Sequence, residues 1–404
     1  PPASDTSSTS TGVNEMALDD ASDPFQQVVY LQEGDAPPDR IIIAGRYYDA
    51  PNRAETFFLK IVNVSDYSIY KQYEFNENNS AFSHDFYSLG TTHSLSNGII
   101  CHVFTVKTYE KESFYAVAKI DTNTDAITFY QEGGIKPSYG STFDYLATTI
   151  NGYLFLSEGF YLIKFDPVNM VEVQKVGLPN YAGPSIQYID GQQFFSDDSN
   201  LYYIRSINKS DYLGNSVSDY EWETAIWEVN PNDLSYNNQT KRFGSGESSY
   251  YIRSEQVYPG ANCVYNGKYY CLVDGSKGAT RVISNDFAYD VSSYLSDKYW
   301  YGFGFDGNEN GLFLIAFNKY QYHRVLQINE TNGSVIDYYD SSYAAQAGLI
   351  YKDKILTVGD SQAFGRPDGV YIIEETVPPV QFNKLTFVSY EEDSKTSQTG
   401  LSVF

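Results

Sequence analysis

The chain has 404 residues and a formal net charge of −24. Duplex nucleic acid and anionic bilayer surfaces need clustered Lys and Arg, so this balance argues against both as partners. Aromatic residues make up 17% of the chain, with 39 Tyr and 25 Phe. No stretch sustains a helical period, so the expected fold class is all-β.

Residues 1–24 are rich in Ser, Thr, Asp and Pro with little to bury. They read as a flexible leader, of the kind that holds an exported protein off a surface through an N-terminal anchor. No apolar run approaches the roughly 18 residues of a membrane span.

From residue 25 a short unit recurs: a turn, an apolar strand, a polar loop, a second strand, then an acidic or Asn turn. The second strands are expected to start near residues 57, 114, 159, 224, 279, 323 and 369. That spacing is close to the roughly 40–50 residues of a propeller blade. The units therefore predict one seven-bladed β-propeller of four-stranded antiparallel blades over 25–390, with a tail at 391–404. Either "FNKLTFVSY" (382–390) closes the ring as the last blade's outer strand, or the N-terminal "QQVVYL" completes that blade.

Asn97-Gly98, Asn151-Gly152, Asp190-Gly191, Asn266-Gly267 and Asn310-Gly311 each precede an apolar strand and read as tight turns. The last settles "FDGNENGLFLIAF" (305–317). Asp306, Asn308 and Asn310 begin like a calcium loop, but Leu314 and Phe317 stand at the later ligand positions. A turn without metal is expected. Turns at Asp121, Asp166, Asn230 and Asn329 carry the Asx chemistry that joins a blade's third and fourth strands.

Cys101, Cys263 and Cys271 make an odd count without zinc spacing. A two-residue turn at Asn266-Gly267 sets Cys263 opposite residue 270 and sends Cys271 to the other face, so buried free thiols are expected. A long insertion at 196–223 is expected between the second and third strands of blade four.

In a propeller, the connections between blades and those between each blade's second and third strands share one end. Candidate ligand-binding residues there are Arg46, Tyr181, Arg253, Tyr299, Trp300 and Arg366. Aromatic faces stack on flat ligands or sugars, and guanidinium groups bind anions through paired hydrogen bonds. No HExxH or GxSxG motif occurs, and four His offer no constellation. The reading is non-enzymatic, with no catalytic residue, cofactor or metal.

Seven such units, the Asx-Gly turns and the Ser/Thr/Asp leader together resemble the propeller lipoproteins of Bacteroidota outer membranes, over roughly residues 25–390. That resemblance implies an exported protein, at the cell surface or periplasmic, held by a lipid anchor outside this sequence. It also implies capture of a small ligand, an iron chelate or glycan, for a TonB-dependent transporter. A protein–protein scaffold or adhesin, and a lyase or hydrolase working in the channel, are the alternatives.

Overall fold

The computed structural model describes residues 23–30, 40–49, 54–66, 68–76, 85–107, 113–131, 147–158, 161–177, 193–197, 199–208, 222–236, 241–242, 250–251, 262–275, 280–295, 302–308, 311–318, 322–341, 347–351, 354–360, 371–375 and 386–392. Almost all are strand, in seven sheets.

The first sheet runs in chain order through β1 (Asp23–Tyr30), β2 (Arg40–Asp49), β3 (Ala54–Asn63) and β4 (Ile69–Phe75). The second uses β5 (Asp85–Leu95), β6 (Ile99–Lys107), β7 (Ser113–Asp121) and β8 (Ala126–Gln131). The third holds β9 (Ala147–Ile150), β10 (Tyr153–Glu158), β11 (Tyr161–Asp166) and β12 (Val171–Gly177). The fourth holds β13 (Gln193–Ser196), β14 (Leu201–Asn208), β15 (Trp222–Val229) and β16 (Lys241–Arg242). In the fifth, β17 (Tyr250–Tyr251) and β18 (Asn262–Tyr265) both pair with β19 (Lys268–Gly275), which leads to β20 (Thr280–Ser284) and β21 (Ala288–Asp290). One helical turn, α1 (Ser292–Leu295), follows.

The sixth sheet is β22 (Gly302–Asn308), β23 (Gly311–Asn318), β24 (Tyr322–Ile328) and β25 (Val335–Ser341). The seventh comprises β26 (Ala347–Tyr351), β27 (Lys354–Asp360), β28 (Tyr371–Glu375) and β29 (Thr386–Glu392), in the order β26-β27-β29-β28. The chain forms two compact units: 84–297 carries the second to fifth sheets, and 1–83 with 298–404 carries the first, sixth and seventh.

The second strand of each recurring unit, which is the third of its blade, begins at Ala54, Ser113, Tyr161, Trp222, Thr280, Tyr322 and Tyr371, each within a few residues of its expected start. Three expectations change. The expected insertion at 196–223 contains β14, which is itself the second strand of the fourth sheet; the apolar run "LYYIRSI" is the signal that was passed over. β1 completes the first sheet rather than the last. β29, which extends to Glu392 and so takes in the start of the expected tail, lies between β27 and β28 instead of outermost, and its pairing with β27 is parallel.

Within the 84–297 unit, successive sheets bury both faces on each other, which is why their strands read as nearly unbroken apolar runs. Cys101, Val103, Tyr115 and Val117 pack on Leu154, Leu156, Ile163 and Phe165. The alternate residues Phe155 and Leu162 turn to Phe194, Tyr203 and Trp227 of the fourth sheet. Phe195, Ile204 and Ile226 then meet Tyr269, Cys271 and Ile283 of the fifth. Each such side chain stabilises by about 1.5–3 kcal/mol when fully buried.

Polar links repeat the same chain-order pattern. Lys119 Nζ donates to the Val168 carbonyl (2.9 Å) and Lys164 Nζ to that of Pro231 (2.9 Å), so a third-strand lysine reaches the next sheet's turn in both cases. Buried Lys164 also lies over the Tyr153 ring at 4.3 Å. On the first strands, the Ala147 amide donates to Thr91 Oγ1 (3.0 Å), and Ser196 Oγ donates to the Thr149 carbonyl (2.8 Å).

Candidate functional site

The two ends of each sheet are built differently. At one end the connections of the second, third, fifth and sixth sheets are short and stereochemically fixed, whereas those at 31–39 in the first sheet and 376–385 in the seventh are about as long as 361–370. Asn97-Gly98, Asn151-Gly152 and Asn266-Gly267 all have positive φ at both residues, the requirement of the type I′ turn that fits the twist of antiparallel strands. The expected turn at Asp306–Gly311 is a hairpin in which Asn308 pairs with Gly311. Asp306 lies within β22, and its carboxylate accepts the Gly307 amide at 2.8 Å.

Turns from third to fourth strand share this end. Asp121, Asp166, Asn230 and Asn329 each accept an amide from two residues ahead through the side chain, at 2.8–3.0 Å. Four residues on, Asp125, Met170, Leu234 and Gly333 take positive φ. The exposed Asp66 and Asp233 carboxyls sit below their ordinary range because Ser68 and Ser235 donate hydroxyl and amide to them.

Gly98 is the tightest of these positions. Its φ is +73°, and a Cβ would stand 2.5 Å from Thr122 Oγ1. That hydroxyl donates to the Gly98 carbonyl at 2.8 Å, tying the sheet's two turns together. Gly152 has φ +77° with open space around it. Gly98→Ala is therefore expected to cost about 2–3 kcal/mol, from left-handed strain plus a displaced hydrogen bond. Gly152→Ala is expected to cost about 1 kcal/mol. Equal urea midpoint shifts for the two variants would refute this account.

The opposite end receives the long connections: 132–146 and 178–192 between sheets, and 209–221 and 361–370 within them. Arg46 belongs here, though inside β2 rather than in a loop, paired with Phe57 and Asp23. Tyr181, Arg253, Tyr299, Trp300 and Arg366 lie outside the described residues.

The same end of the sixth sheet carries a group that sequence reasoning passed over. Arg324, on the buried start of β24, donates from Nε and Nη2 to the two carboxylate oxygens of Asp340 on β25, the Nη2 bond being 2.6 Å. The Tyr338 ring lies 5.3 Å from the guanidinium carbon. His323 beside it is fully buried. In the fifth sheet Arg281 stands in register with Asp290, and its charge helps hold that carboxyl low after the Ser292 hydrogen bonds. The shared signal is "RV" opening a third strand opposite an Asp of the fourth. Both pairs are held within their own sheets, so they brace this end rather than offering a ready anion site.

A second polar cluster lies in the second sheet. His102 Nδ1 hydrogen-bonds Thr92 Oγ1 at 2.8 Å, and His93 Nε2 bonds Thr91 Oγ1 at 2.9 Å. Burial drives the His102 pKa to about 3, with His93 adding to the shift. It drives His93 to about 4, against a smaller opposing effect of a hydrogen bond to the Ala147 backbone. Both rings are neutral near pH 7. Burial also pushes the Cys101 thiol up to about 12. It raises Cys271 well above the ordinary thiol value. These are inert thiols rather than nucleophiles.

Cys101, Cys263 and Cys271 are free, with Cys263 half-buried, and Cys263 pairs with Tyr270 as the two-residue turn requires. Among the described residues, no group of three or more His, Cys, Asp and Glu is placed to hold a metal.

No protein-family model matches the chain, and no curated protein does. Among solved structures it is similar to the β-propeller domain of the Trilobed protease from Pyrococcus furiosus, described as having an open velcro topology. The identity is 7% and the TM-score 0.44, over 90% of this chain and 92% of that one.

Proposed function

We propose that the chain forms a single seven-bladed propeller and works as a non-enzymatic binding module, taking a small ligand at the end where its long connections gather. The observation that carries this reading is the contrast between the two ends of the sheets. Asx and Asn-Gly turns fix one end of the second, third, fifth and sixth sheets with little freedom. The connections at 132–146, 178–192, 209–221 and 361–370 all belong to the other. Long connections held by a rigid scaffold are where binding residues concentrate. Arg46 belongs to β2; with Tyr181, Arg253, Tyr299, Trp300 and Arg366 it supplies the ligand contacts in this reading.

The net charge of −24 disfavours a strongly anionic chelate. A glycan, or an iron chelate of low charge, fits better. A Ser/Thr/Asp-rich leader suits attachment to the cell surface by a lipid anchor, with delivery to a TonB-dependent transporter as the role. Among the described residues no helix is long and apolar enough to cross a membrane.

The test is Arg253→Ala combined with Trp300→Ala, titrated calorimetrically against neutral oligosaccharides and a low-charge ferric chelate. Losing such anchors is expected to weaken binding by about 2 kcal/mol, roughly 30-fold, with melting unchanged. A folded variant that binds as tightly as the parent would move the site elsewhere. A collapsed melting curve would make these residues structural.

A further inference from the structure

The seventh sheet is assembled unlike the others. β26 and β27 form one hairpin, joined at 352–353. β28 and β29 form a second, paired from Tyr371↔Glu391 to Glu375↔Phe387. One parallel ladder joins the two hairpins, from Lys354↔Thr386 to Asp360↔Glu392. β28 has no other strand partner in the sheet. Parallel ladders are slightly weaker per residue than antiparallel ones, and their strands need a crossover connection. Here the crossover is 361–370 together with β28.

From this topology we propose that residues 371–392 are a detachable arm, and that the β27 edge it covers also accepts the same arm from a second copy of this chain. The occupant follows from the structure itself. The edge of β27 is already matched over its whole length to this one strand, and a second copy presents an identical strand in an identical register. The connection at 361–370, which contains Gly365, Pro367 and Gly369, links the arm to β27, so the arm leaves one copy and docks on another through it. Exchange keeps every ladder of the seventh sheet, so self-docked monomer and arm-exchanged dimer differ mainly in the entropy of the connection.

The test uses the full chain with Leu356→Cys and Val388→Cys, two positions in register across the ladder, and Cys263→Ser to remove the half-buried thiol. A disulfide at this pair fits the spacing of neighbouring strands. The protein is incubated in mild urea over a range of concentrations, returned to buffer, oxidised and run on a non-reducing gel. Interchain dimer is expected, and its ratio to intrachain monomer should rise about ten-fold for each ten-fold increase in protein. Intrachain bonds alone at every concentration would overturn the proposal.

Discussion

Between pH 7 and pH 4 the protein is expected to lose several kcal/mol of stability before the low-lying carboxylates are protonated. His93 and His102 have folded pKa values near 4 and 3 against an ordinary 6.5. Both values are depressed, so the unfolded chain takes up these protons first. Their contribution is whole above about pH 6.5, shrinks as pH falls, and is gone below the folded values. For His93 alone the gap amounts to roughly 3 kcal/mol at about 1.4 kcal/mol per unit. The turn carboxylates act in a separate window. Asp66, Asp121 and Asp233 are held below 3.8 by hydrogen bonds, so their contribution is present above that value and is lost only as pH falls beneath it. Urea unfolding at pH 7.5, 5.5 and 4.5 checks the first window. His93→Gln with His102→Gln should lie nearly flat across it, and a slope equal to that of the parent protein would refute the account.

Asp340→Ala is expected to cost about 3 kcal/mol, since it leaves the nearly buried Arg324 guanidinium without its carboxylate. The double change Arg324→Met with Asp340→Leu should recover more than half of that loss, because a packed apolar pair replaces an ion pair whose desolvation offsets much of its attraction. Chemical denaturation of the single and double variants measures both. An Asp340→Ala variant as stable as the parent would show the pair to be a surface contact only.

The repeat was legible because its signals are local. Asn-Gly at 97–98, 151–152 and 266–267 demands positive φ whatever surrounds it, and Asp121 or Asp166 closes an Asx turn with its own neighbours. Pairing beyond neighbours was not legible. Nothing in "TFVSYEE" distinguishes an outermost strand from one placed beside β27, because both bury the same residue types. Arg324 looked like any surface arginine until the register set Asp340 opposite it. The LYYIRSI strand was hidden by the Asp-rich "SDDSN" before it. That turn closes on itself, with the Asp197 carboxylate accepting the Ser199 and Asn200 amides at 2.8 and 2.6 Å. Arg46 lies inside β2 because that strand runs on to Asp49, beyond the apolar run that marked it in the sequence.

The chain-order assembly of the sheets also governs how the polypeptide can acquire its structure during synthesis. The first six sheets are each made from one contiguous stretch, the sixth complete by Ser341. Their ladders have short sequence separation, which lowers the entropy of closing them and favours fast, stepwise formation. As a growing chain leaves the ribosome, each of these sheets can close before the next is made. The seventh breaks this rule: β27 waits with an open edge until Thr386–Glu392 has emerged. Until residues 386–392 have left the ribosome, six sheets can be complete while β27 keeps one strand edge open, and it is then that the nascent protein is most open to capture by a chaperone or by its neighbour on the same message.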